Sequence, residues 1–389
     1  MTGNSLKYLA ILGFFVTSFS MAEIITIDSD ISHQKSKIFK HIYKTNFDHG
    51  IVAEIDSEDI LKLSHQMHED HGRCGGFVVH ETVEEAKEFL KNSLNPPVNN
   101  WFVDYQINQQ DTVNILLKLV QPTMINAVIT HLSSYHNRYY KAQSGISSSR
   151  WIGELWGGLT ENREDASVEL YQHEKWPQPT VILTIEGESD ETIVIGGHAD
   201  SIAGFFGGEH NHAPGADDNA SGIATITEVI RVLMLANYKP KKTLKFMAYS
   251  AEEVGLLGSR EIARLYASKA EKVVGVLQLD MTLYKGSSTQ DIALIADYTD
   301  QEQNAFLGKL IDTYVKVPWI YDRCGYACSD HASWTGSGFK SSFPFEAKKN
   351  DMNRRIHTAR DTLEASRGSV DHPVKFAKLA LSYVVELDQ

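Results

Sequence analysis

Five short segments carry the side chains most able to bind a metal or move a proton. His198 and Asp200 close an apolar run, Thr192-Ile193-Val194-Ile195, in the segment GGHADS. Asp217 and Asp218 follow Pro214-Gly215 and precede a helical pattern. Glu252-Glu253 follow the apolar run LKFMAY, Asp280 ends VVGVLQLD, and His357 lies in RRIHTARDT. Imidazole and carboxylate together are the N/O donor set that zinc takes. His198 and Asp200 are two apart on an extended segment and project to the same side. Asp200 is thereby placed to hold the second ring nitrogen of a metal-bound His198. Two adjacent carboxylates repel unless a cation or a proton sits between them. Because successive side chains diverge, one of Glu252 and Glu253 can bind metal while the other holds water. One of Asp217 and Asp218 can face the site while its neighbour faces the helix N-terminus, where negative charge is stabilised. A charge that ends a buried strand, as Asp280 does, needs a partner. Each of these residues has an ordinary structural reading when taken alone. Together they offer His, Asp, Glu, Asp and His, the set required by two metals that share one carboxylate.

The elements that must position these residues alternate. Strands are expected at 168–173, 180–186, 193–197, 244–250, 273–281, 292–296 and 339–345, and helices at 113–119, 124–135, 147–158, 221–235, 257–268, 301–315 and 372–386. The helix at 221–235 carries a buried stripe of Ile223, Ile226, Val229, Ile230 and Leu233. Trp151 and Trp156 share a face of the helix at 147–158 and read as core. This α/β alternation predicts a three-layer domain, with a central, mostly parallel mixed sheet and helices on both faces. Ligand sites in such sheets lie beyond the strand C-terminal ends. His198, Glu252, Glu253 and Asp280 all fall at such ends, which supports a single site.

Residues 23 to about 100 read as a small α+β unit. Strands are expected at 24–27 and 75–79 and helices at 57–71 and 82–90, followed by a break at Asn95-Pro96-Pro97. Residues 1–22 match a secretory signal peptide: Lys7 precedes the apolar stretch Tyr8 to Phe19, and Ser20-Met21-Ala22 offers small residues for cleavage. A unit between a signal peptide and a catalytic domain reads as a propeptide, here 23–105, leaving 106–389 as the catalytic domain. The net charge of −13 argues against nucleic acid as the main partner. Three cysteines, Cys74, Cys324 and Cys328, are too few for a disulfide scaffold. Cys324 and Cys328 form a disulfide in an oxidising compartment, and are otherwise a ligand pair or two thiols. Cys74 has no evident partner.

GGHADS, PGADDNASG, FMAYSAEEVGLLGS, LQLDM, CGYACSDHASW and RIHTARDT resemble the secreted bacterial leucyl aminopeptidases, co-catalytic two-zinc metallopeptidases. The resemblance covers residues 105 to 389, with six motifs in the family order. It implies that Asp218 bridges two zinc ions, with His198 and Asp280 completing one site and Glu253 and His357 the other. It implies Glu252 as general base, Asp200 as the partner of His198, Tyr326 as an oxyanion donor, and a Cys324–Cys328 disulfide that shapes the substrate pocket. That pocket corresponds to Met281, Leu294, Cys324, Tyr326, Cys328, Phe343, Phe345, Lys349, Met352 and Ile356, where Lys349 replaces the aromatic of leucine-preferring members. The implied substrates are peptides with a free N-terminus and a large apolar first residue. The expected protein is secreted, free of membrane once mature, and inhibited or folded by its own propeptide, with a monomer as the simplest state. Rival readings are another hydrolase or a glutaminyl cyclase on the same fold, a binding-only ectodomain, and an adhesion protein. The complete ligand set and the Glu base weigh against these.

Overall fold

A computed structural model describes residues 22–389 apart from 30, 32–36, 74, 95–102, 104, 205–207 and 288. The expected signal peptide (but for Ala22), the Asn95-Pro96-Pro97 break and Cys74 therefore lie outside the described residues. The chain opens with β1 (Ala22–Asp28), β2 (His41–Tyr43), β3 (Gly50–Asp56), α1 (Ile60–His71), β4 (Phe77–His80) and α2 (Val83–Leu94). The four strands form an antiparallel sheet of order β2-β3-β1-β4. Helix α1 buries Ile60, Leu63, Ser64 and Met67, the spacing of one helical face. It stops at Gly72, whose φ of 59° is left-handed, with the N–H groups of Gly72 and Arg73 capping the last carbonyls.

The larger part contains α3 (Gln110–Leu117), α4 (Pro122–Ser133), α5 (Gln143–Thr160), β5 (Ala166–Tyr171), β6 (Thr180–Ile185), β7 (Ser189–His198) and α6 (Gly222–Leu235). It continues with β8 (Lys242–Tyr249), α7 (Leu257–Ser268), β9 (Lys272–Gln278), β10 (Ile292–Ile295) and α8 (Gln301–Leu310). The last elements are β11 (Trp319–Asp322), α9 (His331–Gly336), β12 (Ser341–Phe345) and α10 (Asp371–Leu387). The eight-stranded sheet has the order β11-β10-β12-β9-β7-β8-β6-β5. Its centre, β12-β9-β7-β8, is parallel, as is β10-β11; β6 and β5 add antiparallel edges, and β10 runs against β12. The fold is therefore the mixed α/β sandwich expected.

Alternation along the central strands divides the core. Ile193 and Ile195 of β7 and Leu244 and Phe246 of β8 pack with α4, α6 and α10. Val194, Met247 and Tyr249 turn the other way, onto Ile262 of α7 and Trp334 of α9. Each such fully buried aliphatic contributes roughly 1.5–3 kcal/mol. Among the described residues no single helix is long and apolar enough to cross a membrane.

Several expected boundaries move. Strand β9 stops at Gln278, so Asp280 sits two residues beyond it, on a loop where Met281 has a left-handed φ of 54°. Residues 216–221 form a wide turn ahead of α6. Strands β2, β3 and β11 and helix α9 carried no expectation, being short or edge elements with weak periodicity. The two parts share a core: Ile60, Leu63, Met67, Phe77 and Val79 pack with Tyr139, Tyr140, Trp176, Ile202, Ala251 and Val254.

Candidate metal centre

Strands β9, β7 and β8 are neighbours and parallel, so their C-terminal ends open side by side. Strand β7 ends on His198, β8 leads into Glu252-Glu253, and β9 leads to Asp280. The long loop after β7 returns Asp218 to the same place. His198 Nε2 lies 3.0 Å from Asp218 Oδ1 and 3.3 Å from Asp280 Oδ1. His357 Nε2 lies 3.3 Å from Asp218 Oδ2 and 2.7 Å from Glu253 Oε2. All five expected ligand residues thus meet, and Asp218 stands between the two histidines. Asp217 faces away, accepting the Leu283 N–H at 3.0 Å and the Asn353 amide at 3.0 Å. The Asp218–Asn219 peptide is cis.

Asp200 does more than the expected pairing. His198 Nδ1 is 3.5 Å from Asp200 Oδ1 and 3.2 Å from its backbone oxygen, which leaves Nε2 to face the carboxylates. The Asp200 carboxylate also accepts the backbone N–H of Glu252 at 3.0 Å and of Glu253 at 3.2 Å. One buried carboxylate thereby fixes a histidine and both glutamates.

The electrostatics are those of a crowded acidic centre. Burial pushes the Glu252 carboxyl well above the usual carboxylate range; His198 opposes this, and Glu253, Asp330 and Asp280 add to it. Burial likewise raises Glu253 to about 7, aided by Asp218. Asp218 is held low, because His198 and His357 outweigh its burial. His357 rises to about 10: burial pulls it down, and Glu253 and Asp218 more than reverse that. These groups hold protons to balance one another, and a bound divalent cation replaces such protons.

The donor set fits zinc. Asp218 Oδ2, both Glu253 carboxylate oxygens and both His357 ring nitrogens are buried without a hydrogen bond, although Nε2 and Oε2 lie 2.7 Å apart. Buried polar atoms without hydrogen bonds require an explanation, and atoms converging on one point are arranged as ligands. Single ligand atoms of His198, Asp218 and Glu253 lie within 4.8 Å of one another.

Beside the centre, Met281, Tyr326, Cys328, Phe343, Phe345, Met352 and Ile356 form one buried apolar cluster, joined by Ala293, Ile295 and the flank of Cys324. Cys324 and Cys328 are disulfide-bonded, with Cα atoms 6.3 Å apart. Leu294, expected in this pocket, is not there: it packs in the main core. Side chains alternate along a strand, so β10 turns Ala293 and Ile295 to the pocket and Leu294 away. Lys349 also differs from a free pocket residue. Its ammonium donates to the Gly72 carbonyl at 3.1 Å and lies 5.3 Å from the centre of the Tyr326 ring.

The sequence reasoning missed several positioning residues. Asp361 accepts the backbone N–H groups of Asp217 and Asp218 at 3.3 and 3.0 Å. It lies four residues after His357 in the same motif, which was the available signal. Ser329 donates to Asp280 Oδ2 at 2.6 Å, and Gln278 donates to Ser329 at 3.0 Å. Arg138, fully buried, donates to the carbonyls of Ala199, Pro214 and Gly215, lacing together both ends of the loop between His198 and Asp218, and to that of Leu132 in α4. Nothing local marks an arginine far upstream for that task.

Comparison with known proteins identifies the family. The Peptidase family M28 profile matches residues 180–382. Leucine aminopeptidase 1 of Pyrenophora tritici-repentis is 38% identical over 308 residues, covering 76% of this chain and 78% of that protein. Leucine aminopeptidase 1 of Penicillium rubens is 36% identical over 285 residues, covering 70% and 73%. The crystal structure of LapB from Legionella pneumophila superposes with a TM-score of 0.82 at 29% identity, covering 95% of this chain and 100% of that one. The sequence relatives are fungal and the structural one bacterial, so the resemblance is not confined to bacterial enzymes. The chain belongs to peptidase family M28 and is a peptide-bond hydrolase of the aminopeptidase type.

Proposed function

We propose that this chain is a secreted aminopeptidase that holds two zinc ions and removes large apolar residues, leucine among them, from peptide N-termini. The observation that carries the reading is the placement of Asp218, whose two oxygens face different histidines, His198 at 3.0 Å and His357 at 3.3 Å. In this reading Asp218 would serve both ions, with His198 and Asp280 completing one set and Glu253 and His357 the other. What bound zinc supplies is Lewis acidity, polarising a carbonyl and acidifying water.

The chain's own residues do the rest. Glu252, buried beside the centre, takes a proton from the attacking water and delivers it to the leaving amine. Asp200 keeps His198 oriented and both glutamate backbones in register. Tyr326 lies in the pocket wall, and its hydroxyl is assigned to the developing oxyanion. Met281, Phe343, Phe345, Met352 and Ile356 receive the first side chain. A free α-amine, which internal peptide bonds lack, is drawn to the acidic centre and restricts cleavage to the N-terminus. The names of the fungal relatives support leucine as a substrate residue. Residues 1–22 act as signal peptide and 23–105 as a propeptide that covers the site until removed.

Hydrolysis of leucine p-nitroanilide by the processed protein, set against its N-acetylated form, tests the reading. Cleavage of the free-amine substrate alone, lost on chelation and in E252Q and regained with zinc, is expected. Cleavage of the blocked substrate would overturn it.

A further inference from the structure

Helix α1 ends against the metal centre. Ser64, His68 and Gly72 follow one another at four-residue spacing, so they lie along one helix face. Each touches the site. The Ser64 hydroxyl donates to the backbone oxygen of Glu253 at 3.3 Å. The His68 ring stands 4.9 Å, centre to centre, from the ring of His357, with the planes inclined by 36°. The Gly72 carbonyl accepts the Lys349 ammonium at 3.1 Å. Next along the chain, Arg73 lies over the Tyr326 ring at 4.8 Å while paired with Asp28 at 2.7 Å.

His68 is the unusual member of this face. Its Nδ1 is buried and has no hydrogen-bond partner, as do both ring nitrogens of His357 beside it. Two unsatisfied imidazoles in contact, next to an unsatisfied Glu253 carboxylate, are costly unless something else takes their lone pairs. Two imidazoles bound to one tetrahedral zinc at about 2.0–2.1 Å have ring centres about 5 Å apart. The observed 4.9 Å is close to that separation.

We propose that His68 is a metal ligand in the full-length chain, joining His357 and Glu253 on the ion they hold. The N-terminal unit then closes the site by occupying the open coordination position, with Arg73 filling the pocket mouth over Tyr326. This rests on the two-zinc reading above. It goes further in naming the blocking atom donor and in making zinc affinity a property that the N-terminal unit alters.

The test uses uncleaved full-length protein loaded with cobalt(II) in place of zinc. H68A and H68Q are compared with H41A, which removes an exposed histidine from β2, and with H198A and H357A. The readouts are the visible d–d spectrum of cobalt and zinc affinity by chelator competition, with circular dichroism to verify folding. Loss of a mere partner to a metal ligand costs ~10–100-fold in affinity, so H68A and H68Q are expected to weaken the tighter-held share of metal tenfold or more and to shift the cobalt spectrum, while H41A does neither. Unchanged spectrum and affinity in folded H68Q would overturn the proposal. If H198A and H357A also left metal binding unchanged, the two-zinc reading itself would fall. If those two lose metal and H68Q does not, only the role of His68 falls.

Discussion

Asp361 accepts the backbone N–H of Asp218 at 3.0 Å, from a loop 143 residues further along the chain. It thereby sets the backbone from which the carboxylate between the two histidines projects. Removing the acceptor strands two buried N–H groups, at a cost of about 1–3 kcal/mol each before relaxation. D361A is expected to lose about that much stability in urea unfolding and ~10–100-fold in zinc affinity. D361N keeps one acceptor oxygen and should retain most of both. Equal metal affinity in D361A and the parent would contradict this role.

Strand β10 gives a cleaner separation. Leu294 lies in the main core and Ile295 in the pocket cluster. L294A should cost about 2–5 kcal/mol in stability and leave substrate preference unaltered. I295A should widen the pocket and raise kcat/KM for aromatic relative to small first residues. A changed preference in L294A would contradict the assignment.

Buried neutral histidines make a contribution to stability that acid removes. Burial pulls His331 down to about 3 and His372 to about 4 from an ordinary 6.5, and holds His80 well below it. A folded-state value below the unfolded one means that the unfolded chain binds more protons in between, so stability falls as pH drops through that window. The contribution is fully present above 6.5 and lost progressively toward 4 and below, on the order of 1–3 kcal/mol per group. The difference in urea stability between the parent and H372Q, measured in chelator, isolates one such group and should shift against the parent as pH falls from 7.5 to 5.

The Cys324–Cys328 bridge closes a very short loop. On the chain-entropy account such a loop contributes about 2 kcal/mol. The C324S/C328S double variant should therefore stay folded at room temperature with a modestly lower Tm. Its effect should appear as a raised KM for large apolar residues, because Cys328 is part of the pocket wall. Loss of folding would mean that the bridge matters globally instead.

Arg138, completely buried, places three hydrogen bonds on the loop and a fourth on the Leu132 carbonyl of α4. R138M keeps much of the volume and strands four carbonyls. It should destabilise by about 3–5 kcal/mol, the scale for breaking a buried charged network, and lower metal occupancy. Unaltered occupancy would show that the loop holds its shape without it.

How far the chain was legible depended on how local the information was. His198, Asp218, Glu252, Glu253, Asp280 and His357 stood out because each ends or follows a strong apolar run or lies in a dense polar motif. Long central elements such as Leu257–Ser268 were readable because their periodicity is strong. Leu294 was misplaced because a resemblance transfers a position without its facing, and one step along a strand reverses that facing. Arg138, Ser329 and Asp361 act on partners 49 to 143 residues away or through several carbonyls at once, and no spacing rule encodes such contacts. His68 was invisible for the same reason: its neighbour His357 is remote in the chain and adjacent only through the docking of α1.

The sharing of β10 between two packed regions has a consequence for how this protein can change. Ala293 and Ile295 can drift in size under selection for new substrates while Leu294 continues to anchor the sheet. Innovation and foldability are thus written in alternate letters of the same four-residue strand, and a lineage can explore one without putting the other at risk.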